Sequence, residues 1–192
     1  MTTPDPRANA PRNRTGRLLV AAPTLMDPHF QRAVLVMIEH SEEGALGLVL
    51  NQPTQIQAVD ALPEPLCEVV PKSAFIHCGG PVQPSAVIIL AEFDAPERAA
   101  GIVIASIGVV DPDGALDDLS EYVSDLRVFG GYAGWAPGQL EAEIAEGAWI
   151  DVAALPEDIF TETPERLWSD VLERKGGVFR LIARMPTDPS LN

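Results

Sequence analysis

The stretch that most limits how this chain can fold runs from Val128 to Trp149, VFGGYAGWAPGQLEAEIAEGAW. It holds two of the three tryptophans and one of the two tyrosines, and its pattern reads strand, turn, helix, strand. Arg127 to Phe129 is a short β-type run that empties into Gly130, Gly131 and Gly134. Glycines let the backbone take a positive φ or approach another segment closely. Pro137 suits the first helical position, where its missing N–H costs nothing. With Ala136 as N-cap, Gln139 can reach back to the N-cap amide, half of a capping box, and Trp135 can staple onto Leu140. Leu140 and Ile144, one turn apart, form the buried stripe, which leaves Glu141, Glu143 and Glu146 mostly toward solvent. Gly147 marks the helix end, and Ala148 to Val152 resumes as a strand.

The rest of the chain supplies partners for this unit. Leu18 to Ala22 predicts a strand, broken by Pro23, Asp27 and Pro28, with a helical turn over His29 to Arg32. Ala33 to Ile38 is a continuous β-favouring run that suits a strand buried on both faces. It turns through Ser41-Glu42-Glu43-Gly44 and returns as Leu46 to Leu50. This hairpin ends at Asn51-Gln52-Pro53, where proline stops further ladder bonding at its nitrogen. Phe75 to Cys78, Ala86 to Ala91 and Ile102 to Val110 predict further strands, the last bent at Gly108. Asp111-Pro112-Asp113-Gly114 is a turn signal, and Leu116 to Asp125 predicts a helix. Thr163 and Pro164 read as N-cap and first position of a helix carrying Leu167, Trp168, Val171 and Leu172, stopped by Gly176-Gly177. Val178 to Met185 fits either helix or strand.

A chain of 192 residues fits one domain. Residues 1–15, with Pro4, Pro6 and Pro11 among polar residues, read as a disordered tail, and 16–192 as the domain. Arg7, Arg12, Arg14 and Arg17 lie in the first 17 residues against Asp5 alone. Of the chain's 13 basic and 28 acidic groups, nine and 27 therefore belong to the remainder, a net of −18. Such a surface repels phosphate backbones, so no direct nucleic-acid binding is expected. The longest uncharged apolar run, Ala99 to Val110, is too short for a membrane span. Cys67 and Cys78 make no disulfide framework, and no signal segment opens the chain, so a cytoplasmic protein is expected.

Chemical motifs are sparse. There is no G-x-S-x-G, Walker loop or G-x-G-x-x-G. Gly130 to Gly134 resembles a phosphate loop only superficially, since no Lys or Ser/Thr follows. His29, His40 and His77 lack ligand spacing, so a structural role is expected for each, with no metal and no cofactor. Glu141 and Glu143, two residues apart on a helix, do not share a face.

Taken together, several stretches resemble the YqgE/AlgH family of bacterial proteins. They are Gly16 to Ala21 with Asp27-Pro28-His29-Phe30, Ile38 to Pro53, Gly79-Gly80-Pro81-Val82, Gly131 to Trp149, and Asp188 to Asn192. The resemblance covers residues 16–192. It implies a single compact α+β domain with a split, mixed, barrel-like β-sheet and flanking helices. The family's name carries a link to transcriptional regulation, and no catalytic residue carries over from it. The leading expectation is a binding or regulatory domain for a protein or small-molecule partner, without a catalytic site. An enzyme acting on a small anionic ligand and a DNA-binding regulator are the alternatives, the latter disfavoured by the charge. The candidate site is the rim formed by Gly131, Tyr132, Gly134, Trp135 and Gln139, with Asn51 and Gly80 reaching in from two other strand ends. The competing reading makes Tyr132 and Trp135 core and the glycines a device for tight packing, and it is the favoured one.

Overall fold

A computed structural model of the chain describes residues 13–112, 114, 116 and 119–186. Ten strands form one mixed sheet: β1 (Arg17–Ala21), β2 (Val34–Ser41), β3 (Gly44–Val49), β4 (Pro53–Gln57), β5 (Phe75–Cys78), β6 (Val82–Phe93), β7 (Gly101–Ile104), β8 (Ile107–Val109), β9 (Val123–Trp135) and β10 (Trp149–Ala153). Their order is β10-β1-β2-β3-β9-β6-β8-β7, with β5 on β9 and β4 on β5. The result is the single α+β domain with a mixed sheet that the resemblance implies. The strand path ends at β10 and β7, so the sheet is open rather than closed into a barrel.

β9 is the strand that joins the two halves. One edge pairs antiparallel with β6 from Val123 to Tyr132. The other edge is divided between two partners. β5 lies parallel along Val128 to Gly130, and β3 lies antiparallel along Ala133 to Trp135. The chain must therefore pass from one edge of β9 to the other between Cys78 and Val82. It does so by crossing the β9 backbone at Gly131 and Tyr132. A Cβ on Gly80 would sit 2.3 Å from the Tyr132 carbonyl carbon, and one on Gly131 would sit 2.6 Å from the Gly80 oxygen. Side chains cannot occupy these positions, and Gly131 also has a φ of +71°. The crossing is tied down by backbone bonds from the Gly79 amide to Gly130 (2.9 Å) and from the Val49 amide to Gly79 (2.9 Å).

Alternation along the central strands sends side chains to two cores. Leu18, Val20, Val34 and Val36 face Leu167, Trp168, Val171 and Leu172 of helix α6 (Pro164–Lys175). Leu19, Ala21, Leu35 and Met37 face Trp135, Trp149 and Leu140 of helix α4 (Gln139–Ala145). Burial on both faces explains why Ala33 to Ile38 reads as an unbroken apolar run. A third cluster packs β6 and the first half of β9 against the short helices α1 (Ala58–Ala61), α2 (Leu66–Val69) and α3 (Leu119–Tyr122). Helices α5 (Pro156–Ile159) and α7 (Phe179–Ala183) and a 3-10 turn over Pro96–Arg98 complete the described elements.

Several boundaries differ from expectation. β9 does not end at Phe129 but runs through the glycines to Trp135, because β6 and β3 continue to pair with it. Helix α4 starts at Gln139 with Gly138 as N-cap (φ +75°), not at Pro137 after Ala136, although Gln139 Oε1 does accept from the Ala136 amide at 3.0 Å. Ile102 to Val110 is a hairpin, β7 and β8, turning at Ala105 with φ +50°. Among the described residues of Leu116 to Asp125 the helix is α3, Leu119–Tyr122, and β9 begins at Val123. Thr163 and Pro164 do open α6, and Gly176 (φ +81°) closes it. Of the expected tail, residues 1–12 lie outside the described residues. Arg14 is anchored: its amide donates to His40 Nδ1 (3.1 Å), and its Nη1 donates to Glu141 Oε1 (3.0 Å). With Nδ1 accepting, His40 Nε2 carries the proton and meets Glu141 at 2.9 Å.

The crossing makes Gly131 sensitive to substitution. Gly131→Ala is expected to cost about 3 kcal/mol or more in urea unfolding, from backbone strain and overpacking together. Gly101→Ala, whose Cβ would meet nothing within 4 Å, is the control and should stay within about 0.5 kcal/mol of the parent.

Candidate functional site

The residues singled out from the sequence fall into separate places. Gly80 and Gly131 are the crossing itself. Asn51 latches two strand ends: its Oδ1 accepts from the Val34 amide (2.9 Å) and its Nδ2 donates to the Arg32 carbonyl (2.9 Å). Gln139 is exposed and donates through Nε2 to Glu143 Oε1 at 2.8 Å. Trp135 is buried, with its ring edge-on to Trp149 at 5.9 Å. Both indole N–H groups donate to Glu143 Oε2, at 2.9 Å from Trp135 and 2.7 Å from Trp149. Glu143, expected in solvent, is thus the acceptor that lets two tryptophans be buried, and Glu141 is held by Arg14 and His40. The two carboxylates do point to different neighbours, as their spacing requires. Tyr132, Gly134 and Trp135 alone share a surface feature, a shallow groove that also carries Glu39, Ser41 and Glu43.

A different cleft gathers the unsatisfied chemistry. It has a volume of about 400 Å³ and lies over β4, β5 and β9, walled by Thr161, Glu162 and Pro164 from the approach to α6. The parallel register sets Ile76 beside Val128 and His77 beside Phe129. By the period-2 alternation of strands, Phe75, His77, Arg127 and Phe129 then share one face. His77 is 9% exposed, and its ring lies 5.8 Å from that of Phe129. Arg127 donates through Nη2 to the Thr161 carbonyl at 2.7 Å. Its Nη1 is buried without a partner, as is His77 Nδ1.

Burial governs the protonation of both groups. Desolvation, with the positive field of Arg127 adding to it, lowers the His77 pKa to about 4, against a weaker pull from the Phe75 backbone. Desolvation also brings Arg127 down to about 10, opposed by the charge of Asp125. The imidazole is therefore neutral at pH 7, and Arg127 remains a cation. The site offers one desolvated charge, one neutral ring able to donate or accept, and apolar walls. No cluster of three or more His, Cys, Asp or Glu able to hold a metal occurs among the described residues, and none of their helices is long and apolar enough to cross a membrane.

The sequence expectation assigned His77 only a structural role and gave Arg127 none. The signal that marks them is a charge placed two residues before a core phenylalanine on a strand, Arg127 before Phe129. It becomes meaningful only once β5 is known to lie beside β9.

The cleft predicts a pH dependence. An unfolded histidine binds its proton near pH 6.5, whereas His77 resists protonation down to about 4. Between these values the unfolded chain holds more protons, so stability falls as the pH drops through that window. From pH 7.5 to pH 5, the parent should lose on the order of 1–2 kcal/mol more than His77→Gln does in urea unfolding. Equal losses in the two proteins would contradict a buried neutral His77.

The sequence profile described as AlgH-like (DUF179) matches residues 18–180. A UPF0301 protein of Streptomyces coelicolor is 44% identical over 186 residues, covering 93% of this chain and 95% of that protein. A UPF0301 protein of Thermobifida fusca is 40% identical over 189 residues, with the same coverage of each chain. Among solved structures, a crystal structure of a Corynebacterium diphtheriae protein matches with a TM-score of 0.79 at 29% identity, over 96% of this chain and 95% of that one. The solution structure of the AlgH protein from Pseudomonas aeruginosa matches with a TM-score of 0.69 at 26% identity, over 97% and 98%.

Proposed function

The chain belongs to the AlgH-like family, and from that premise we propose that it is a non-enzymatic, cytoplasmic binding domain for a small anion, with the His77–Arg127 cleft as its site. The observation that carries this reading is Arg127, a cation that lines the cleft and whose Nη1 is buried without a partner. A buried unpaired donor on a charged group costs several kcal/mol, and an anion in the cleft would recover that energy. His77 Nδ1, the second unpartnered atom, supplies orientation, because a neutral imidazole hydrogen-bonds without adding charge. Binding is favoured over catalysis because no cleft hydroxyl pairs with His77 Nδ1, and Thr54 Oγ1 donates instead to the Ile76 carbonyl at 2.7 Å. The groove of Tyr132, Gly134 and Trp135 contains Glu39 and Glu43 and suits an anion poorly. In this reading those residues, with Gly80, Gly131, Asn51 and Gln139, hold the scaffold behind the site.

The test is a thermal-shift panel of acetate, benzoate and inorganic phosphate. A bound anion at a hundredfold its Kd stabilises by about 2.7 kcal/mol, which is about 5–10 °C for a chain of this size. At least one of the three should raise the melting temperature of the parent in this way and leave folded Arg127→Met unmoved. No shift with any of them, or a shift that persists in Arg127→Met, would refute the site.

A further inference from the structure

The surroundings of Arg127 narrow the class of anion. The first constraint is charge. Among the described residues lining the cleft, Arg127 is the one fixed cation, Glu162 opposes it, and the field of Asp125 also reaches it. One cation among carboxylates suits a monoanion and penalises a dianion. The second constraint is donor count. Nη2 gives one of its two N–H groups to the Thr161 carbonyl, and Nη1 is the guanidinium nitrogen left without a partner. Phosphate sites commonly add the backbone N–H groups of a helix start, but α6 opens beside this cleft with Pro164, which has no N–H to give. The third constraint is surface. Pro53, Phe75 and Pro164 contribute apolar walls, and Phe75 is left 41% exposed one register step from Arg127.

We infer that the cleft takes a small monocarboxylate with a flat apolar body, its carboxylate on Arg127 Nη1 and its body against Phe75. This inference rests on the anion-binding reading above and specifies its ligand. One carboxylate oxygen accepts from Nη1. With the imidazole proton on Nδ1, His77 donates to the other. The stacked body covers Phe75, as aromatic pairs favour offset or edge-on contact. A volume of about 400 Å³ lies within the range of small-molecule sites.

Calorimetric titration at pH 8, where inorganic phosphate is chiefly a dianion, with benzoate, acetate and phosphate distinguishes the outcomes. Benzoate should bind about tenfold more tightly than acetate, and phosphate should be the weakest, following the apolar area and charge terms. Phe75→Ala, at an exposed position, should remove most of benzoate's advantage and leave acetate unchanged. Arg127→Met should abolish binding of both carboxylates. If phosphate binds most tightly and Arg127→Met abolishes it, the monocarboxylate assignment is wrong while the anion site stands. If Phe75→Ala leaves the benzoate-to-acetate ratio intact, the stacking assignment is wrong. If none of the three binds, or binding is indifferent to Arg127→Met, the anion site itself fails.

Discussion

Everything in this fold depends on one backbone crossing a strand with no side chain between them. Gly80 passes over Gly131 and Tyr132 of β9 at distances that exclude a Cβ on either glycine. That contact lets β5 lie on one edge of β9 and β6 on the other with three residues, Gly79 to Pro81, between the two strands. Without the crossing, the connection would need a longer arch. The space now filled by Gly79, between the end of β3 and the middle of β9, would also lose the two backbone bonds that seal it.

The cleft is a by-product of the same arrangement. Parallel pairing of β5 on β9 sets Phe75 and His77 alongside Arg127 and Phe129 on one face. The outer strand β4 and the segment before α6 close over part of that face and leave the rest open. An unpartnered guanidinium nitrogen and an unpartnered imidazole nitrogen are costly there, and such costs are tolerated where the surrounding structure is well determined. The scaffold behind them is of that kind: central strands buried on both faces, Asn51 latching β2 to the end of β3, and Glu143 receiving two indoles.

Local signals were legible where a local physical cause sets the structure. Phe75 to Cys78 forms β5 as read, and α6 starts at Pro164 after Thr163 because a first-turn proline acts locally, although the Thr163 side chain makes no capping bond. The hairpin of β2 and β3 is legible from its turn and its apolar run. What escaped the sequence is set by distant partners. Glycines 130, 131 and 134 look like a strand end, and only pairing with β6 and β3 keeps them in β9. Glu143 looks solvated on a helical wheel, and only the convergence of Trp135 and Trp149 makes it an acceptor. The Ile102 to Val110 run hides a turn at Ala105-Ser106, where a non-glycine residue, Ala105, takes the positive φ and no Gly, Pro, Asn or Asp marks it. The His77–Arg127 cleft was invisible for the same reason, since 49 residues separate two side chains that the sheet brings together.

If the crossing underlies the rest, its amides should open only when the whole domain unfolds. Native-state hydrogen exchange at the Gly79 and Val49 amides, followed against low urea concentrations, measures this directly. The expected result is a free energy and a urea dependence for both amides equal to those of global unfolding. Exchange through a local opening, with a small urea dependence and a free energy well below the global value, would contradict the account.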